Sequence, residues 1–162
     1  MSALLYRGPA LEDLHTGYAM KGRIDERAPV TSSSTVVVDA PVTQVWKVLS
    51  DLRGWSAWYP EHQVLELGAM APGESFRWRI GSLKITSRFA VVDPGRELTW
   101  SGVVFGYRAV DRHLLEPLDG GHTRVTMSES LAGLFASVLY GPDKLRQGHD
   151  RYLAALKAEV EK

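Results

Sequence analysis

The sequence predicts an α+β fold in which a curved antiparallel sheet of about seven strands wraps around one long C-terminal helix. Three observations carry that expectation. From Val64 to Met127, apolar and polar residues alternate with period two, the pattern of strands with one buried and one wet face. Gly81-Ser82, Asp93-Pro94-Gly95 and Asp119-Gly120-Gly121 interrupt the alternation with turn chemistry, so consecutive strands fold back as a meander. After Glu129 the period becomes helical, with one stripe at Leu131, Leu134, Phe135, Val138 and Leu139 and another at Leu145, Tyr152, Leu153, Leu156 and Val160. A twisted sheet with one apolar face needs a cover, and the terminal helix is the only element long enough to supply it.

Residues 1–30 mix Gly8, Pro9, Gly17, Gly22 and Pro29 with scattered charges, and only Leu11–Met20 has helical character. They are read as a partly flexible N-terminal arm that lies on the surface or packs on a neighbouring subunit. The domain proper is expected over 31–162. Ser34–Val38 is β-branched and reads as a strand, and Pro41 then opens a helix carrying Val42, Val45, Trp46 and Leu49. Arg53-Gly54 interrupts it, and Trp55, Trp58 and Tyr59 crowd a second short helical segment closed by Pro60. In the meander, Phe76, Trp78 and Ile80 share a face, as do Leu83, Ile85, Phe89 and Val91 on the next strand. Leu98, Trp100, Gly102 and Val104 follow, then Ala109, Asp111, His113 and Leu115, then Val125 and Met127. Gly141-Pro142 should break the terminal helical region.

Composition narrows the function. Lys+Arg and Asp+Glu both count 19, so net charge gives no general reason to bind nucleic acid or an anionic membrane. Arg77, Arg79, Lys84, Arg88 and Arg108 alternate onto the outer, wet face, away from the aromatics that a nucleic-acid surface would interleave with them. With no cysteine, thiol nucleophiles, disulfides and Cys-ligated metals are excluded. Neither a phosphate-binding glycine loop nor a nucleophile elbow occurs, so no cofactor is expected. The absence of a signal-like N-terminus and of a long apolar run predicts a cytoplasmic chain that does not insert into membranes.

Several short stretches, in order, carry a resemblance to a known family. They are Ala40-Pro41-Val42-Thr43-Gln44-Val45-Trp46, Trp55-Ser56-Ala57-Trp58-Tyr59-Pro60, Pro72-Gly73-Glu74-Ser75-Phe76-Arg77-Trp78 and Asp93-Pro94-Gly95-Arg96-Glu97-Leu98-Thr99-Trp100. Gly106-Tyr107-Arg108-Ala109, Leu115-Glu116-Pro117, Gly120-Gly121-His122-Thr123-Arg124-Val125-Thr126 and Leu153-Ala154-Ala155-Leu156-Lys157 complete the set. On these, residues 33–160 resemble the START-like (SRPBCC) helix-grip superfamily and, within it, the bacterial polyketide cyclase/dehydrase-like proteins. The resemblance implies a deep cavity between sheet and terminal helix for an apolar lipid-, polyketide- or aromatic-type molecule, in a monomer or homodimer. It does not fix a chemistry, because some such proteins are cyclases or dehydratases and others only bind. The strand after Gly106-Tyr107-Arg108-Ala109 often carries an inward His followed two residues later by a large aromatic; here those positions are Asp111 and His113.

Asp111 and His113 share an inward face about 7 Å apart, a spacing that suits a His acid/base tuned by an acid, a polar ligand contact, or a buried structural pair. Glu129, two residues past Met127, joins them if the register holds. One His with two carboxylates is too sparse a donor set to predict a metal. His15, His62, His122 and His149 are assigned to loops, tail or helix surface. Trp58, Tyr59, Phe76, Trp78, Phe89, Trp100, Tyr107, Met127, Phe135 and Leu139 are the expected apolar lining, each able instead to serve as plain core. The expected function is binding or carriage of a hydrophobic molecule; the alternative is a cyclase or dehydratase using His113 with Asp111 as its catalytic pair.

Overall fold

The computed structural model describes residues 3–162, and the meander folds as one seven-stranded antiparallel sheet. Its strands are β1 (Val30–Val38), β2 (His62–Leu67), β3 (Ser75–Ile80), β4 (Leu83–Asp93), β5 (Glu97–Val104), β6 (Tyr107–Leu118) and β7 (His122–Ala132). The order β1-β7-β6-β5-β4-β3-β2 leaves β1 and β2 as the edges. Between β1 and β2 lie two short helices, α2 (Val42–Ser50) and α3 (Trp55–Trp58). The sheet curls around α5 (Pro142–Val160), which starts with Pro142 in its first turn, where the ring needs no amide partner. The helix-grip architecture expected from the sequence is therefore present, with the helical break at Gly141-Pro142.

The main core forms where α2, α3 and α5 meet the concave face. Leu98, Trp100, Leu115, Val125 and Met127 from the sheet pack against Val45, Leu49, Trp55, Tyr152, Leu153 and Leu156. Trp55 is fully buried, and its indole nitrogen donates to the Leu49 carbonyl at 2.9 Å. Burying a ring of about 200 Å² contributes on the order of 5 kcal/mol, so the Trp55 segment is a principal anchor of the two short helices.

Two local expectations are corrected. The helical period read from Leu131 onward starts too early: β7 continues through Ala132, and only Ala136–Leu139 forms a short helix (α4) before α5. Leu131 belongs to the ladder opposite Ala109, while Val138 and Leu139 stay exposed. On β4 the pairing jumps from Phe89–Trp100 to Val91–Thr99, so Ala90 is an extra residue and the alternation flips. Val92, not Val91, then packs into the main core.

Residues 3–29 lie across the outer face of the sheet. Within them, α1 (Leu11–Gly17) and the 3-10 turn Ala19–Lys21 place Leu14 and Ala19 against Ala90 and Val110. His15 Nδ1 lies 2.7 Å from Ser101 Oγ, the Asp25 amide donates to Ser130 Oγ at 3.0 Å, and Tyr6 donates to Asp25 at 2.8 Å. The outer face is therefore only partly wet. Arg88 reaches Glu12 at 2.9 Å, and Arg108 donates to the Pro9 carbonyl at 2.5 Å. Thr99 and Ser101 are buried on this face, so β5 is covered on both sides.

Candidate functional site

Between the concave face and α5 lies a cavity of about 440 Å³, within the range of small-molecule pockets. Strand alternation builds its walls: Ile85 and Ser87 from β4, Trp100, Gly102 and Val104 from β5, Tyr107, Ala109 and Asp111 from β6, and Met127, Glu129 and Leu131 from β7. Leu145, Gly148, His149 and Tyr152 close it from α5, and Tyr59 and His62 close it from the other side. The mouth lies among Phe105, Leu139, Glu61 and Arg151. Phe105 is 85% exposed and takes the left-handed backbone at φ 48°, an uncommon conformation for an aromatic residue, so the hairpin after β5 holds its ring in solvent.

One polar cluster interrupts the apolar wall. Asp111 and Glu129 stand opposite each other in the β6–β7 ladder. His149, one turn before Tyr152 on α5, places Nε2 2.7 Å from Glu129 Oε2. His113 Nδ1 is 3.8 Å from Asp111 Oδ1, beyond hydrogen-bond reach. Asp111 Oδ1, Tyr152 Oη and the Nδ1 atoms of His62 and His149 lack hydrogen-bond partners among the described residues. Burial, reinforced by the charge of Glu129, raises the Asp111 carboxyl well above its ordinary range. Burial and then the charge of His149 push His62 down to about 3. Burial likewise takes His113 down to about 3, aided by His149 and opposed by a backbone interaction at Leu98. Burial also raises the Tyr152 phenol, with Asp111 adding to the effect. At neutral pH His62 on the wall is therefore a neutral imidazole, as is His113, beside an acid reluctant to ionise.

Of the residues singled out from the sequence, Tyr59, Trp78, Trp100, Tyr107, Asp111, Met127, Glu129 and Leu139 border the cavity. Trp58, Phe76, Phe89, His113 and Phe135 do not. Phe76 and Phe89 stack on each other at 4.4 Å deep in the core, and Trp58 packs on Tyr152 at 5.4 Å. His113 sits behind the wall, its ring 5.0 Å from Trp100 and 5.8 Å from Tyr152. Phe135 is half-exposed ahead of α4, in the left-handed region at φ 57°.

The assignment of the remaining histidines to loops and surface is corrected for three of them. His15, His62 and His149 are buried, the last two on the cavity wall. His62 opens β2 rather than closing a loop, with its ring stacked 5.2 Å from Tyr152. The signal for His149 was available: it falls four residues after Leu145 and four before Leu153, inside the buried stripe of α5. Among the described residues, no group of three or more His, Asp or Glu side chains is arranged to hold a metal ion. No helix among the described residues is long and apolar enough to cross a membrane.

A search of curated proteins gave no match. Solved structures similar in fold include the hypothetical protein jhp0584 from Helicobacter pylori, with a TM-score of 0.73 and 18% identity over 83% of this chain and 90% of that one. A START superfamily protein from Mycobacterium smegmatis has a TM-score of 0.68 and 18% identity over 81% of this chain and 97% of its own. The ZhuI aromatase/cyclase from a Streptomyces species has a TM-score of 0.61 and 23% identity over 81% and 93%. At these identities the likeness is one of fold. The family model described as polyketide cyclase / dehydrase and lipid transport matches residues 29–161, all of the sheet and the long helix. The chain belongs to that family.

Proposed function

We propose that the protein binds an apolar small molecule in the cavity between sheet and α5 and holds it without chemical change. The cavity itself carries this reading. It measures about 440 Å³, its walls are mostly aliphatic and aromatic, and its interior carboxyls are gathered with His149 at one cluster, as expected of a pocket that solvates a hydrophobic body and fixes one polar group. The position of His113 adds support. An acid/base catalyst must reach its substrate, and this imidazole lies behind Trp100 with a pKa near 3.

A second reading, a cyclase or dehydratase, is favoured by one observation, the 2.7 Å contact between Glu129 and His149 on the cavity wall. A carboxylate that orients an imidazole is a common catalytic arrangement. The other ring nitrogen of His149, Nδ1, is buried with no partner among the described residues. Native mass spectrometry of protein taken directly from cells separates the two readings. The binding reading expects a bound apolar species that is lost on denaturation, and the same spectrum distinguishes monomer from homodimer. An empty protein that turns over a poly-β-ketone, and stops doing so when His149 becomes Ala, would overturn it.

A further inference from the structure

The charge inside the cavity is one-sided. Its interior carboxyls, Asp111 and Glu129, face each other across adjacent strands, and Glu61 stands at the mouth. Among the described residues, the only Lys or Arg on the lining is Arg151, which is exposed at the entrance. His62 is neutral at ordinary pH, and His149 is engaged with Glu129. Trp78, Trp100, Tyr107 and Tyr152 line the same cavity. Asp111 is only 6% exposed and borders the cavity, yet its Oδ1 has no hydrogen-bond partner among the described residues. A buried polar atom without a partner is uncommon, and one on a cavity wall points to a group on the ligand.

Resting on the binding reading above, we propose that the ligand is an apolar amine whose ammonium group seats against Asp111 in this aromatic-lined cavity. Each part of the lining has a counterpart in such a molecule. The hydrocarbon body fills the aliphatic wall, the rings offer their negative faces to the cation, and the unpartnered carboxyl oxygen accepts an N–H. A fatty acid or phosphate would instead bring an anion into a poorly solvated space beside two carboxyls, with no buried cation to meet it. A neutral alcohol fits sterically but gains only a neutral hydrogen bond from the carboxyl, without the charge pairing an ammonium adds. In the empty protein burial and then Glu129 disfavour the Asp111 anion and raise its pKa. An arriving ammonium reverses that balance, and the proton leaves to solvent.

The test uses three probes of one size, octylamine, octanol and octanoate, followed by quenching of tryptophan fluorescence, since Trp78 and Trp100 line the cavity. The amine should bind at least about ten-fold more tightly than the alcohol, as close charge pairing at a desolvated site supplies, and octanoate should bind most weakly. In Asp111→Asn, amine and alcohol should converge while alcohol binding persists. Calorimetry of the wild type in two buffers of different ionisation heat should show a proton released with octylamine and none with octanol, a readout that holds even if the variant fails to fold. Alcohol or acid binding as tight as the amine would overturn the ammonium assignment and leave the binding reading intact. Failure of all three probes to bind would overturn both.

Discussion

The two neutral histidines in the core make acid the sharpest probe of this fold. His62 and His113 have folded-state pKa values of about 3, against 6.5 for a free imidazole. Between those values the unfolded chain takes up protons that the folded chain refuses, so stability falls as pH drops from 6.5 toward 3. Each histidine contributes a slope of about 1.4 kcal/mol per pH unit in that window, and the pair removes about 5 kcal/mol between pH 6.5 and 4.5. Asp111 acts with the opposite sign. Its folded pKa is raised, so the folded state holds a proton that the unfolded state has lost, and stability is regained as pH falls through that raised value toward 3.8. Over the shared window it offsets part of the loss from one imidazole. Replacing His113 by Phe removes its contribution with little change in packing, because the ring already lies among Trp100 and Tyr152. Urea unfolding measured at half-unit steps from pH 7 to 4.5 should show a slope shallower by about 1.4 kcal/mol per unit in the variant, with stability at pH 7 unchanged or higher. Parallel slopes for wild type and variant would refute the claim that His113 is buried and neutral.

Two further predictions concern the cover and the rim. Leu14→Ala, in α1 on the outer face, should cost about 2–4 kcal/mol by thermal unfolding if the N-terminal segment is an integral second layer, whereas a loosely attached arm would leave the melting temperature unmoved. A Cβ placed on Gly133 would sit 2.1 Å from Tyr107 Cδ1, and the Tyr107 hydroxyl donates to the Leu134 carbonyl at 3.0 Å. Gly133→Ala should therefore displace this cavity-lining ring, lower stability by about 1–3 kcal/mol and weaken octylamine binding. An unchanged melt and unchanged affinity would show that the ring is free to move.

The architecture was legible because the signals that specify it are local and repeated. Alternation at Phe76-Trp78-Ile80 and the Asp93-Pro94-Gly95 turn act within a few residues, and the tests at each position agreed with their neighbours. Legibility ended where one residue changes the count. The extra residue at Ala90 leaves no mark in composition, yet it moves every later β4 side chain to the other face. Leu131-Leu134-Phe135 mimics a helical stripe, but the β6 ladder captures Leu131 through its pairing with Ala109, a contact more than twenty residues distant in sequence. The site was harder to read, because a cavity is the space that packing leaves empty. Asp111 and Glu129 could be placed on one face by parity alone, whereas His149 meets Glu129 only once α5 is laid across the sheet. The same geometry separates Asp111 from His113. Both point inward, but Trp100 covers the imidazole, while the carboxyl remains at the cavity wall.

The central claim, that the space between sheet and α5 is the binding site, is tested most directly by filling it. Ala109 on β6 borders the cavity between Gly102 and Leu131, its partners in the two neighbouring strands. A tryptophan at this position occupies volume a ligand would use. For Ala109→Trp the account predicts a folded protein that carries no co-purified species in native mass spectrometry and does not bind Nile red, where the wild type does both. A folded Ala109→Trp protein that still retains the cellular ligand and binds the dye with wild-type affinity would contradict it.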